Sequence, residues 1–363
     1  MLVVLDDSLA AASKELSDLE VECLDDVLLT HVKLQHYIGA SRRTALTLAK
    51  ELAEKLSSRA LQALATISTQ SNDLSGLLKL TAYYAVIRRS ELVGCHVESG
   101  DQQKKWLCDL AFASKWFSNP TRLIGEHLTD TKIFVAASID FALANDVVSN
   151  TVNLRSDMSG GSGSAHAMIK ERIDEAIAPV LCLIDSDKFA PDSSQSSSVL
   201  KCQRVVDEMR GVSHFEALNE RELENVLPAP LVEGAISRLN PSRDRDEIMR
   251  RSVVLNLIRT NTPLVYSHVD IKNGTCMTWA KEKNVTGLLG SSNIIAPCNC
   301  KKDCDGLISP PLFEDVLGKT ADFIEHTSSR QLFKVLKNVP RHSWLEIGKT
   351  VFSFGLSNNV RCT

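Results

Sequence analysis

Aromatic residues make up only 5% of this chain, no apolar run approaches a membrane span, and neither sign of charge dominates. With few rings for bases to stack on, the sequence is a poor match for a single-strand nucleic-acid reader. Lacking a run of about 20 apolar residues, it offers no transmembrane helix, and no membrane contact is expected. A net charge of −4 supplies no global attraction to nucleic acid, so such binding has to come from local basic patches or metal ions. The stretch Met1-Leu2-Val3-Val4-Leu5-Asp6-Asp7 has no basic residue and meets two acids early, unlike a secretory signal. The ten cysteines fall at irregular spacings and read as reduced thiols. These features predict a cytoplasmic protein.

What is present is ordinary for a globular protein: 363 residues, 44% apolar and 24% charged, enough for two domains or one elaborated one. Residues 1–117 contain no proline and few glycines. Apolar residues recur there at helical spacing, as in Ala45, Leu48, Leu52 and Leu56, or Leu74, Leu77, Leu78 and on to Ala82 and Tyr83. This predicts an α-helical partner or dimerisation domain with no chemistry of its own. Ser118-Asn119-Pro120-Thr121 breaks the pattern. Over 118–230, strands at 122–125, 151–155, 180–184 and 213–218 alternate with helices at 130–145, 165–176, 199–210 and 220–227. That alternation predicts a parallel sheet with helices on both faces. Residues 231–363 read as a mixed, helix-rich extension with a strand over 264–271 and a cysteine cluster.

Two apolar runs in the middle region end in carboxylates. Arg122-Leu123-Ile124-Gly125 leads into Glu126 and then Asp130, and Val180-Leu181-Cys182-Leu183-Ile184 leads into Asp185-Ser186-Asp187. Parallel strands ending side by side would gather Glu126, Asp185 and Asp187 around one point, as in a Mg²⁺ site for phosphodiester chemistry. Crowded carboxylates repel, and a divalent cation removes that cost. The alternatives are a solvated turn for Asp185 and Asp187, and a helix-dipole partner for Asp130. Gly160-Gly161-Ser162-Gly163 could turn N–H groups toward a phosphate or form a plain turn; it is neither a G-x-G-x-x-G nor a P-loop sequence. Glu222 and Glu224, two positions apart, are expected to diverge on a helix so that only one faces inward.

In order and spacing these residues resemble the Toprim domain, the Mg²⁺-dependent module of type IA topoisomerases, bacterial primases and OLD-family nucleases. The likeness rests on a glutamate ending the first strand (Glu126), an acid four positions on (Asp130), and a D-x-D ending a later strand (Asp185 and Asp187). It extends to the glycine turn at Gly160, Gly161 and Gly163. Arg221-Glu222-Leu223-Glu224-Asn225-Val226-Leu227-Pro228 is similar to the R-E-x-E-N segment of OLD-type Toprim domains, which singles out Glu224. Lys272, before Asn273-Gly274, matches the downstream lysine that OLD-type nucleases place near the scissile phosphate; taken alone it is a turn lysine. His127 stands where the family has glycine, and no Walker A sequence is present.

The resemblance implies an α/β fold with a Toprim-like parallel-sheet core. It further implies a nuclease for DNA or RNA using Mg²⁺ or Mn²⁺ on Glu126, Asp130, Asp185 and Asp187, with Glu224 and Lys272 completing the catalytic set. OLD-like enzymes often act in anti-phage defence with an ATPase, here expected on a separate subunit, and the N-terminal region is then a candidate homo-oligomer or partner surface. Lys188, Lys201, Arg204, Arg243, Arg245, Arg250 and Arg251 are available to hold a nucleic-acid backbone. Competing readings are a catalytically silent Toprim-like binding or assembly subunit, a receiver-like domain phosphorylated on Asp185, and a D-x-D phosphatase of the haloacid-dehalogenase kind. The last wants Thr or Val where Phe189 stands. Separately, Cys298, Cys300 and Cys304, with Cys276 or His268 upstream, could share a structural zinc.

Overall fold

The apolar run Leu2–Leu5 forms β1, the inner strand of a sheet rather than part of a helical bundle. The computed structural model describes residues 1–89, 93–100, 102–147, 150–239, 243–283, 298, 304 and 306–358. Around β1 lie β2 (Tyr37–Ala40), β3 (Tyr83–Ile87), β4 (Cys95–Ser99) and β5 (Lys104–Cys108), in the order β2-β1-β3-β5-β4. All pairs are parallel except β4 with β5. The helices expected here do form: α1 (Asp7–Ala11), α2 (Asp18–Val32), α3 (Arg42–Glu51), α4 (Ser58–Thr69), α5 (Ser71–Leu80) and α6 (Leu110–Trp116). They pack around a sheet as well as on one another, so the all-helical expectation for 1–117 is corrected to α/β. Tyr83, which its spacing put on a helical stripe, opens β3.

The second sheet matches the expected alternation. Its elements run β6 (Thr121–Gly125), α7 (Leu128–Ala144), β7 (Asn150–Val152), β8 (Leu154–Met158), α8 (Ser162–Glu175), β9 (Val180–Ile184), α9 (Ser197–Glu208) and β10 (Ser213–Ala217). The order is β10-β9-β6-β8, all parallel. Both central strands, β6 and β9, are buried along their whole length, as strands covered on both faces must be. From β6 the chain crosses first to β8 and then back to β9. Neighbouring β6 and β9 therefore send their connections to opposite sides, and a crevice opens at their carboxyl ends.

Beyond the sheet come α10 (Leu223–Val226), α11 (Ala229–Ser237), α12 (Arg243–Asn261) and α13 (Pro263–Tyr266). The strand expected over 264–271 does not form. Pro263 starts a helix, as proline favours, and Asn225 Nδ2 donates to the Tyr266 and Val269 carbonyls at 2.7 and 3.0 Å. A small hairpin follows, β11 (Thr275–Cys276) against β12 (Leu307–Ser309), with α14 (Met277–Glu282) after its first strand. The chain continues through α15 (Val316–Glu325), α16 (Ser329–Leu336), α17 (His342–Gly355) and β13 (Leu356–Asn358), which pairs antiparallel with β7.

Helix α17 joins the halves. Its Trp344 Nε1, together with Arg341 Nε just before it, donates to Asp140 Oδ2 of α7 at 3.1 and 2.8 Å. Its Ser353 Oγ accepts from Ala82 N beside the first sheet at 2.9 Å. Among the described residues no helix is long and apolar enough to cross a membrane.

Candidate functional site

Every loop at the carboxyl end of the second sheet contributes to one cluster of acids. Glu126 follows β6 directly. Its Oε1 accepts from Asp185 N in the loop after β9 at 3.3 Å, and its Oε2 accepts from Ser162 N at the start of α8 at 3.1 Å. Gly160 N also donates to the Glu126 carbonyl at 3.2 Å. In this turn the Ser162 N–H thus serves the Glu126 carboxylate and the Gly160 N–H its backbone carbonyl. Gly160 and Gly161 take left-handed φ values of 74° and 115°, while Gly163 lies inside α8.

Asp130 sits in the first turn of α7. Its Oδ2 accepts from His127 N at 2.8 Å, which caps the helix start at His127. His127 has φ −128°, ordinary extended backbone, so this turn has no need of the family's glycine. Asp185 Oδ1 accepts from Leu223 N at 2.9 Å, which ties the β9 loop to α10. Asp187 is exposed and left-handed (φ 54°), a strained state for a residue other than glycine, and its N–H donates to the Arg221 carbonyl at 3.0 Å.

Glu222 and Glu224 do not diverge. The helix begins at Leu223, and Glu222 is its extended cap (φ −139°), so the step between them is not a helical one. Both are buried and both face Lys272, whose Nζ lies 3.0 Å from Glu224 Oε1 and 3.7 Å from Glu222 Oε2. Glu222 is the residue that the sequence reading discounted; its signal was the pairing with Arg221. Arg221 Nη2 lies 3.4 Å from both Glu222 Oε1 and Asp270 Oδ2, and its guanidinium carbon stands 5.4 Å from the ring centres of Phe189 and Trp279. Asn225 fixes the arrangement: its Oδ1 accepts from Glu222 N at 3.1 Å while its amide holds the loop leading to Lys272.

Burial and mutual repulsion shape the charge states. Burial pushes Asp185 well above the usual carboxylate range, helped by the charges of Glu224, Glu126, Asp130 and Glu222. Glu126 is raised by burial and by Asp187 and Asp130, against the N–H groups of Asp185 and Ser162. Asp130 and Glu222 are raised by burial too, with Lys272 among the groups opposing it. Burial works against the charge on Lys272, but Glu224, Glu222 and Asp185 outweigh it and hold its proton firmly.

Three buried carboxylate oxygens here, Asp130 Oδ1, Glu222 Oε2 and Glu224 Oε2, have no hydrogen-bond partner. Such atoms are costly. An all-oxygen, multiply anionic donor set with spare lone pairs fits a hard divalent cation. A second group has different chemistry: the sulfurs of Cys276, Cys298 and Cys304 lie within 4.8 Å of one another and could hold a metal ion. Cys300 lies outside the described residues. His268 is not in this group; its Nδ1 contacts the Lys188 carbonyl at 3.2 Å.

Comparison with known proteins adds no relative: no family model, no curated protein and no solved structure matches this chain.

Proposed function

We propose that this protein is a Mg²⁺- or Mn²⁺-dependent nuclease of the Toprim kind, hydrolysing phosphodiester bonds of DNA or RNA. The observation that carries this reading is the gathering of Glu126, Asp130, Asp185, Asp187 and Glu224 at one end of a parallel sheet with buried, unpartnered oxygens. Glu126, Asp130, Asp185 and Asp187 would hold the cation, with Glu224 completing the set. A bound ion of this type supplies an activated water and positive charge against the phosphate oxygens. Lys272, kept protonated, offers a fixed cation to a phosphate oxygen, and Glu222 and Glu224 hold it in place. Arg250 and Arg251 pair with Glu247, which leaves Lys188, Lys201, Arg204 and Arg245 for nucleic-acid backbone contacts. By its likeness to OLD-type enzymes, the nuclease would act in anti-phage defence under a separate ATPase subunit, with the N-terminal unit as partner or self-association surface.

One observation favours a second reading. Lys272 already compensates Glu224 and Glu222, so the acids can be held together without an ion, as in a silent binding or assembly subunit. Incubation with plasmid, single-stranded DNA and tRNA, with Mg²⁺, Mn²⁺ or chelator, separates the two. Metal-dependent cutting is expected, with Glu126→Ala and Asp185→Ala each losing more than the roughly 10–100-fold that outer partners of a metal ligand contribute. Cutting that survives in both variants overturns the site. No cutting of any substrate supports the silent subunit, and turnover of a model phosphomonoester would point to the phosphatase.

A further inference from the structure

Beside the strands β11 and β12, three sulfurs from positions 276, 298 and 304 come together. Cys276 ends β11 opposite Leu307 and is buried, while Cys298 and Cys304 are half-buried. Zinc–sulfur bonds of about 2.3 Å put tetrahedral sulfurs about 3.8 Å apart. Sulfurs already within 4.8 Å therefore need to close by only about 1 Å around an ion. The Cys276 sulfur also accepts from Trp279 N at 3.4 Å, an outer hydrogen bond of the type that steadies a thiolate ligand. An all-thiolate set in a protein of this composition selects zinc over the hard cation that suits the carboxylates.

Cys276 is also four residues from Lys272, and the turn between them is fixed at several points. Asp270 N donates to Thr275 Oγ1 at 2.8 Å, and Thr275 N donates to Ser309 Oγ on β12 at 3.1 Å. Gly274 has φ 75°, and a Cβ there would lie 2.8 Å from Pro311 N. The hairpin has strands of only two and three residues, so a cross-link at its base adds to the core contacts of Ile308 and Ala280.

We infer that Cys276, Cys298 and Cys304 supply three of the four ligands of a structural zinc ion, and that this ion anchors the turn presenting Lys272 to the carboxylates. The inference rests on where Lys272 sits, not on nuclease activity, so a protein that cuts nothing can still bear it out. Full-length protein purified under reducing conditions is expected to carry one zinc per chain. Replacement by cobalt should give the sulfur-to-metal charge-transfer and visible bands of a tetrahedral thiolate site, a measurement that needs no variant. Cys276→Ser and Cys304→Ser should lose the zinc, whereas Asp185→Asn should keep it. Stripping zinc from the wild type should lower the melting temperature and speed acetylation of Lys272 relative to other lysines, read by mass spectrometry. Protein free of zinc and blind to cobalt, or holding a disulfide among these cysteines, overturns the site. Zinc present but without effect on Lys272 labelling overturns the anchoring role.

Discussion

Asp185 is the residue on which the carboxylate cluster bears hardest. Its folded-state pKa is raised by burial and by four other acids. Its contribution to stability is thus fully present below the ordinary carboxylate range and is lost as pH rises through the raised value. Where it is ionised without metal, its charge works against the fold. Asp185→Asn keeps an acceptor for Leu223 N and removes that charge. The variant should melt about 2 °C higher than wild type in chelator. The proposed site predicts a rise in melting temperature of the wild type with Mn²⁺, and the variant should lose most of it. Thermal scans with and without Mn²⁺ read both; an undiminished Mn²⁺ response in the variant would show that Asp185 is no ligand. Glu222 illustrates what the sequence conceals at this scale. Two glutamates two positions apart point apart on any helix, and only the extended backbone at 222 makes them neighbours.

At the scale of elements, legibility followed length and environment. Strands β6 and β9 stand out because five buried residues run straight into acids. The first sheet was hidden because β1 and β2 have only four residues each and sit among long Leu- and Ala-rich helices whose periodicity fills any reading window. The strand expected over 264–271 failed for another reason: a buried asparagine captures its carbonyls, an interaction that no local pattern records. Packing of α17 on α7 depends on a glycine in the same silent way. A Cβ at Gly348 would press into the Ala137 carbonyl and lie 2.9 Å from the Phe141 Cβ. Backbone on that side cannot yield as a flexible side chain would. Gly348→Ala should therefore cost about 2 kcal/mol in urea unfolding, and a cost near zero would mean that the helices shift freely.

At the scale of the whole molecule, buried histidines join distant segments and set an acid limit. His31 Nδ1 accepts from Ile38 N at 3.1 Å, and its Nε2 lies 3.0 Å from the Asn358 side chain of β13. Burial pushes His31 down to about 4 and holds His36 well below the ordinary value. Each is neutral when folded, whereas the unfolded chain takes up a proton near pH 6.5. Stability is therefore unaffected by His31 above about pH 6.5 and falls by about 1.4 kcal/mol per pH unit between there and about 4. Replacing it by asparagine, which retains an acceptor for Ile38 N, should flatten this slope in urea titrations at stepped pH; a parallel slope would assign the acid sensitivity elsewhere. The same interdependence governs how inactive variants are to be interpreted. Because Glu126 receives N–H groups from the start of α8 and the loop after β9, it is a keystone as well as a candidate ligand, and its truncation lets two arches sag at once. Asp187 is exposed, and among the described residues no hydrogen bond or ion pair engages its side chain. Asp187→Asn removes the charge with a residue that still tolerates the left-handed φ of 54° and leaves the masonry standing, so loss of cutting in Asp187→Asn would be stronger testimony about the proposed chemistry than the same loss in Glu126→Ala.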